Sequence, residues 1–531
     1  MLNTPRARRG MVTAPHHLAA QAGLSVLREG GNAIEAAVAV AAALSVVYPH
    51  MTGIGGDGFW LVAEPGQEPQ AIEGCGSALM DATDAAYAGR DAIPWRGILA
   101  ANTMAGAISG WDAALQVSAR WGGRLPLSRL VEEAVWHAEQ GFAVTQSQAE
   151  LTAEKLPELR DAPGFAETFL LDGKPPRTGE IMKLPRLGAT LRALAQDGPD
   201  SFYRGKLAAA IAADHARIGA LLKPADLANH QARLPAPLSV KLRKARLYNF
   251  APPTQGFASL MILALFERYV QRIGLREADG FGYLHGLVEA TKQAFLVRDR
   301  ILGDPESMVV PAERYLDPEM LDLLATRIHP SRALPWPYTG APGDTIWLGV
   351  TDGAGRQVSY IQSIYFEFGS GCVLPETGIN WQNRGSSFLL QGEGPRRLAP
   401  GRRPFHTLNP AMARFEDGRA MVYGTMGGEG QPQTQAALFS RYALFGQQLQ
   451  AAITAPRWLL GKTWGQTSMS LKLEDRFDAA VVATMRAAGH AVDVLEDFTA
   501  TMGHAGAIVR HQDGLLEGAT DPRSDGVVAA Y

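Results

Sequence analysis

The sequence predicts an α/β protein built in several layers, and three observations carry that expectation. The chain has 531 residues, more than one small core can organise, so two sizeable domains or one large multilayer domain both fit. Residues 33–47, AIEAAVAVAAALSVV, are apolar on nearly every helical face, which places this helix between layers rather than on a surface. Ile346 to Asp352 and Gln357 to Tyr365 are β-rich runs joined by Gly353-Ala354-Gly355-Arg356, the pattern of a β-hairpin with glycine at its turn.

Composition narrows the function classes. With 46% hydrophobic and 19% charged residues the chain is expected to fold as a globular protein. A net charge of -3 supplies no basic field for nucleic acid. The first residues, MLNTPRARRGMVTAPHH, are basic but lack the apolar core of a secretory signal, so a cytoplasmic location is expected. The most apolar run, Ala36 to Tyr48, falls short of the ~20 residues a membrane crossing needs. Cys75 and Cys372 are far apart and without CxxC spacing, so a pair of small buried hydrophobes is expected rather than a zinc site or a disulfide framework.

Taken in order, Gly30-Gly31-Asn32 offers an N-cap for the alanine-rich helix and Pro49 stops it. GIGGDGFWLV then opens a strand. It lacks GK[ST] and dinucleotide spacing, which favours close backbone packing over a phosphate cradle. Residues from about Ala101 to Asp214 alternate helices with short connections. GPDSFYRG turns into the helix KLAAAIAADHARIG, PPTQG follows the strand RLYNF, and VEATKQAFLVRDRIL has helical periodicity. His16-His17 cannot share a face on a helix or strand, and no HExxH partner follows, so no metal is expected there. His406 and His504 sit near glycine-rich turns, as polar site-lining groups or as satisfied structural histidines. Gly424-Thr425-Met426-Gly427-Gly428-Glu429-Gly430 links the strand MVYG to the helix QTQAALFSRYALFG, where backbone N–H groups can bind an oxyanion or merely close a tight turn.

The pivot is Thr345. It follows a Pro/Gly-rich stretch, SRALPWPYTGAPGD, read as an exposed linker, and it begins the first hairpin strand. A threonine hydroxyl needs a base, and a freed α-amino group with a pKa near ~8 can be one. Cutting Asp344–Thr345 would free it. Spacing alone leaves this reading beside a plain one, a β-branched residue opening a strand.

Together, GGNAIEAAVAVAAALSVVYP, GIGGDGFWLV, GPDSFYRG, PPTQG, RDRILGDP, DTIWLGVTDGAG, FGSG, RRP, GTMGGEGQPQTQ and GATDPRSDG, in this order over almost the whole chain, resemble the γ-glutamyltransferase family. The resemblance implies a four-layer αββα N-terminal-nucleophile hydrolase. One precursor would be cut autocatalytically into a large segment, 1–344, and a small one, 345–531. Thr345 matches the nucleophile, Ser363 its hydrogen-bonding hydroxyl partner, and Gly427 and Gly428 the oxyanion-hole glycines. No cofactor or metal is implied. The partners are a small amide and the two fragments of one precursor, with homo-oligomer formation left open.

Departures from the family pattern point to the substrate. Where members acting on glutathione carry an Asn, a Gln and an acidic residue that read the glutamyl α-amino group, this chain has Tyr365, Arg384 and Ser387. His406 and Thr407 stand at the paired serines, and the carboxylate-binding Arg has no clear counterpart around GCGSALMDATDAAY. With no carboxylate nearby, Arg384 would repel an ammonium and hold a small carboxylate. The expectation is an amidohydrolase for a small acidic amide, similar to the cytosolic branch that includes oxamate amidohydrolase. The alternatives are γ-glutamyl transfer or glutathione hydrolysis, and an uncleaved, non-catalytic metabolite-binding member.

Overall fold

A computed structural model describes residues 3–336, 345–461 and 468–531. Two antiparallel sheets lie face to face between helical layers. The six-stranded sheet runs in the order Val527–Ala530, Met11–Ala14, Ile346–Thr351, Gln357–Ser363, Asp57–Ala63, Gln70–Gly74. The seven-stranded sheet runs Arg6–Ala7, Leu516–Thr520, Ala505–Arg510, Ala420–Thr425, Ala411–Phe415, Ala245–Asn249, Leu238–Lys241. Helices His17–Arg28, Ala33–Val47 and Ala107–Arg120 cover the first sheet, and Gly256–Ile273, Phe281–Ile301 and Gln431–Phe439 cover the second. Phe59, Leu61, Phe250, Trp347, Ile361 and Ile508 fill the space between the sheets. The four-layer αββα arrangement follows.

Because each sheet is covered on both faces, its central strands are buried along their whole length instead of alternating, as Asp57–Ala63, Ile346–Thr351 and Gln357–Ser363 all are. The helix Ala33–Val47 is likewise wholly buried. Its exposed-end problem is solved by a capping box. Asn32 Oδ1 accepts from the amides of Ile34 and Glu35, while Glu35 Oε2 accepts from Asn32 N at 2.7 Å.

Residues before and after Thr345 are not separate bodies. Met11–Ala14, Asp57–Ala63 and Gln70–Gly74 share one sheet with three strands from the chain beyond Thr345, and Met11–Ala14 lies between two of those. The Trp347 indole lies between the sheets so closely that a Cβ on Gly424 would stand 2.2 Å from its Cδ1, and one on Gly506 2.5 Å from its Cζ3. This contact sets the strand that starts at Thr345 against the strand that leads into the Gly427 turn. The close-packing reading of GIGGDG holds too, since a Cβ on Gly56 would meet Ser363 O at 2.1 Å.

The two cysteines are free and buried. His16 caps the helix His17–Arg28, its Nδ1 accepting from Leu18 N at 3.2 Å. Among the described residues no helix is long and apolar enough to cross a membrane. Asp344, expected on the far side of the cut, lies outside the described residues.

Candidate active site

Hairpin register places the nucleophile candidate. Ile346 pairs with Gln362, so Thr345 comes beside Ser363, and its Oγ1 donates to Ser363 Oγ at 3.3 Å. Ser363 Oγ also accepts from Tyr365 N at 2.8 Å. That second bond needs a sharp turn after the strand, and Tyr365 makes it with φ at 82°. A left-handed aromatic residue costs about 1–3 kcal/mol, which the surrounding packing must over-determine.

The Tyr365 ring faces Arg384, whose guanidinium carbon sits 3.5 Å from the ring centroid. Both terminal nitrogens of Arg384 donate to Thr407 Oγ1 at 3.3 Å, and Nε has no partner among the described residues. Arg384 is fully buried. Burial pulls its pKa down to about 10, partly offset by Tyr365, Asp57 and Cys75, so it stays a cation at neutral pH. Among the described residues no carboxylate contacts it. The expectation of no carboxylate nearby is nevertheless corrected, because Asp57 acts on Arg384 from beyond contact distance.

Asp57 pairs with Ser363 across the sheet, and its oxygens are already engaged. Oδ1 accepts from Gly76 N, Gly106 N and Gln382 Nε2 at 3.0–3.1 Å, and Oδ2 accepts from His406 Nε2 at 3.0 Å. Burial still outweighs these donors and raises Asp57 to about 7. His406 is held neutral, by burial first and then by the charge of Arg384. His406, expected among the substrate contacts, is thus tied at Nε2 to Asp57. Its neighbour Thr407 carries the link on to Arg384.

This geometry gives a pH signature. With Asp57 ionised, the Asp57–Arg384 pair is neutral; with Asp57 protonated, the pair carries a positive charge that favours a bound anion. The KM for an anionic amide is expected to rise about three- to ten-fold from about pH 6 to about pH 8, as the proton leaves Asp57. Asp57→Asn should flatten that profile in steady-state kinetics.

The glycine turn completes the constellation. Gly427 at φ 122° and Gly428 at φ 51° adopt backbone that a side chain would resist, and no described group accepts from either amide. Gln255 Nε2 donates to both Gly428 O and Thr407 O, at 2.8 and 3.0 Å, which joins the turn to the Arg384 side of the site. Gln255 Oε1 accepts from Arg298, whose other arm reaches Glu429 at 2.6 Å. The carbonyl of His504 accepts from Met426 N just before the turn.

Ser387, expected as a substrate group, donates instead to Phe405 O at 3.1 Å. Asp57, Gln255, Gln382 and Arg298 were not singled out in the sequence; the only signal was their place inside GIGGDG, PPTQG, the WQN segment and RDR. Asp57, Cys75 and His406 lie close enough to share a metal ion. They suit one poorly, since the Asp57 oxygens are taken and burial holds the Cys75 thiol protonated.

Comparison with known proteins identifies the family. The gamma-glutamyltranspeptidase family profile matches residues 19–531. The chain is 55% identical over 523 residues to an oxamate amidohydrolase proenzyme of Klebsiella pneumoniae, covering 98% of each. It is 41% identical to the glutathione hydrolase-like YwrD proenzyme of Bacillus subtilis, covering 97% of each. Among solved structures, a cephalosporin acylase from Bacillus halodurans superposes with a TM-score of 0.91 at 34% identity, over 100% of this chain and 97% of that one. The chain belongs to the gamma-glutamyltranspeptidase family.

Proposed function

We propose that this chain is a self-cleaving amidohydrolase that releases ammonia from oxamate or a similarly small acidic amide. The observation that carries this reading is Arg384: a buried cation, stacked on Tyr365 and contacted by no described carboxylate, with N–H capacity left over. A bound carboxylate supplies the missing charge and acceptors, in a bidentate contact that a planar guanidinium favours. The 55% identity to the oxamate amidohydrolase proenzyme supports the same substrate.

Thr345 acts twice in this scheme. In maturation its Oγ attacks the carbonyl carbon of residue 344 and the C–N bond breaks. The amine of Thr345 is freed, and water hydrolyses the resulting ester to a carboxylate and the restored hydroxyl. In turnover the free amine takes the hydroxyl proton as Oγ attacks the substrate amide. The Gly427 and Gly428 N–H groups receive the developing oxyanion, the proton passes to the leaving ammonia, and water resolves the acyl ester. Fragments 1–344 and 345–531 would stay interleaved through both sheets, and we place the enzyme in the cytoplasm.

Glutathione hydrolysis is disfavoured because the glutamyl ammonium would meet Arg384. A non-catalytic binding role would leave the Thr345–Ser363 bond and the two glycine amides without use. The test follows ammonia from oxamate and glutamate from glutathione side by side on the cleaved protein. Oxamate is expected to be preferred by about 100-fold or more in kcat/KM, the range a site achieves when a rival leaves buried charges mismatched. Glutamate release alone would overturn the assignment.

A further inference from the structure

A second buried polar cluster lies away from this site, on the helix Phe281–Ile301. His285, Glu289 and Lys292 stand at i, i+4 and i+7, hence on one face, and meet His490 from the chain beyond Thr345. Its protons can be assigned from end to end. His285 Nε2 faces His329 O at 2.7 Å and must donate, so its Nδ1 accepts from His490 Nε2 at 2.9 Å. His490 Nδ1 is then an acceptor for Lys292 Nζ at 3.4 Å. Lys292 also lies 2.7 Å from Glu289 Oε1 and donates to Leu334 O at 2.7 Å. Glu289 Oε2 accepts from Leu334 N at 3.0 Å. The Lys292 ammonium already engages Glu289 and His490, two of the three groups that a metal would need.

What the cluster grips is one stretch of backbone: His329 through its carbonyl, and Leu334 through both its amide and its carbonyl. Ala333 N adds a bond to Ala488 O at 2.8 Å. Leu334 lies ten residues before Asp344. Buried ion pairs are weak stabilisers because desolvation offsets their attraction, and their best-attested use is to fix one arrangement over others. Both histidines are kept neutral, chiefly by burial, which suits relay hydrogen bonds rather than charge.

We propose that His285, Glu289, Lys292 and His490 are positioning residues for self-cleavage, a clamp that fixes the chain upstream of the scissile bond. The strand Ile346–Thr351 fixes the downstream side, so the attacking hydroxyl has a defined place. The carbonyl it must attack depends on where the incoming chain is held, and this cluster holds the backbone ten residues upstream, with Trp336 packed on the core just after it. Misplacement by about 1 Å lowers such a rate by about 100-fold. The inference rests on the self-cleavage reading above.

The test compares the parent full-length chain with Glu289→Gln, Lys292→Met and the double variant, which removes both charges together and keeps the shape. Conversion of precursor into the two fragments is followed by gel and intact mass. The kcat of the fully cleaved fraction and its melting temperature are measured alongside. Conversion slowed about ten-fold or more, with kcat of the cleaved fraction within about two-fold of the parent, is the expected result. Should a single variant fail to fold, the double variant decides. Conversion at the parent rate overturns the inference alone. So does an equal loss in conversion, kcat and melting temperature, which marks a general structural role. A parent chain that stays whole overturns the cleavage reading and this inference with it.

Discussion

Thr345→Ala is expected to give a single uncut chain with no measurable ammonia release from oxamate. The same oxygen serves both reactions, so one deletion removes both. Loss of a nucleophile in enzymes that work through an acyl intermediate lowers kcat by about 10⁴- to 10⁶-fold, and the residual activity comes from the oxyanion donors and binding alone. The fold should survive. Alanine keeps the Cβ and removes the 3.3 Å contact to Ser363. A modest stability change, about 1 kcal/mol, is the scale for each buried hydrogen bond lost. Thr345→Ser keeps the hydroxyl and loses one methyl, so slow cleavage and partial activity should return. Fragments appearing in the alanine variant, or turnover persisting in it, would remove Thr345 from the mechanism.

The parts of this site visible in the sequence are those written in local chemistry. A glycine turn between two β-rich runs marks the hairpin, a Pro/Gly stretch marks the linker, and together they isolate Thr345. Asn32 before an alanine run marks the helix start, and the capping bonds are there. What stayed hidden is written in distance along the chain. Asp57 and His406 are 349 residues apart, and nothing in GIGGDG or FHTLNP says that a carboxylate from one orients a ring from the other. Gln255 binds the carbonyls of Thr407 and Gly428 through its side chain, a contact without periodicity or motif. Tyr365 was named from its place in the motif, but its backbone stayed hidden for another reason. Its left-handed backbone runs against the preference of an aromatic residue, and such local conflict is characteristic of functional sites. For Ser387, position in a motif suggested a ligand contact, and the short turn it occupies directs its hydroxyl proton to Phe405 O.

Arg384→Met should move stability and activity in opposite directions. In the free enzyme Arg384 is a cation taken out of water, held by a ring face and one hydroxyl, with no partner for its Nε among the described residues. Removing this cation relieves its desolvation cost, and Asp57 can take up a proton and so leaves no unpaired buried charge behind, so the melting temperature should hold or rise. Turnover should fall. Removing one partner of a buried charge-assisted pair costs about 2–5 kcal/mol, which at about 1.4 kcal/mol per decade is a loss of roughly 30- to several-thousand-fold in kcat/KM for oxamate. Arg384→Lys keeps the charge but loses the fork and the stacking on Tyr365, so an intermediate loss is expected. The substitution also acts on Asp57, whose carboxylate is favoured by the positive charge of Arg384. Without that charge Asp57 should stay protonated to higher pH, and the rise of KM with pH should disappear from the neutral range. A methionine variant that keeps parental kcat/KM for oxamate would mean that the substrate carboxylate is held elsewhere. One that loses activity and melts far lower would make Arg384 a structural ion. Only higher or equal stability joined to lost turnover identifies it as the group that waits for the substrate.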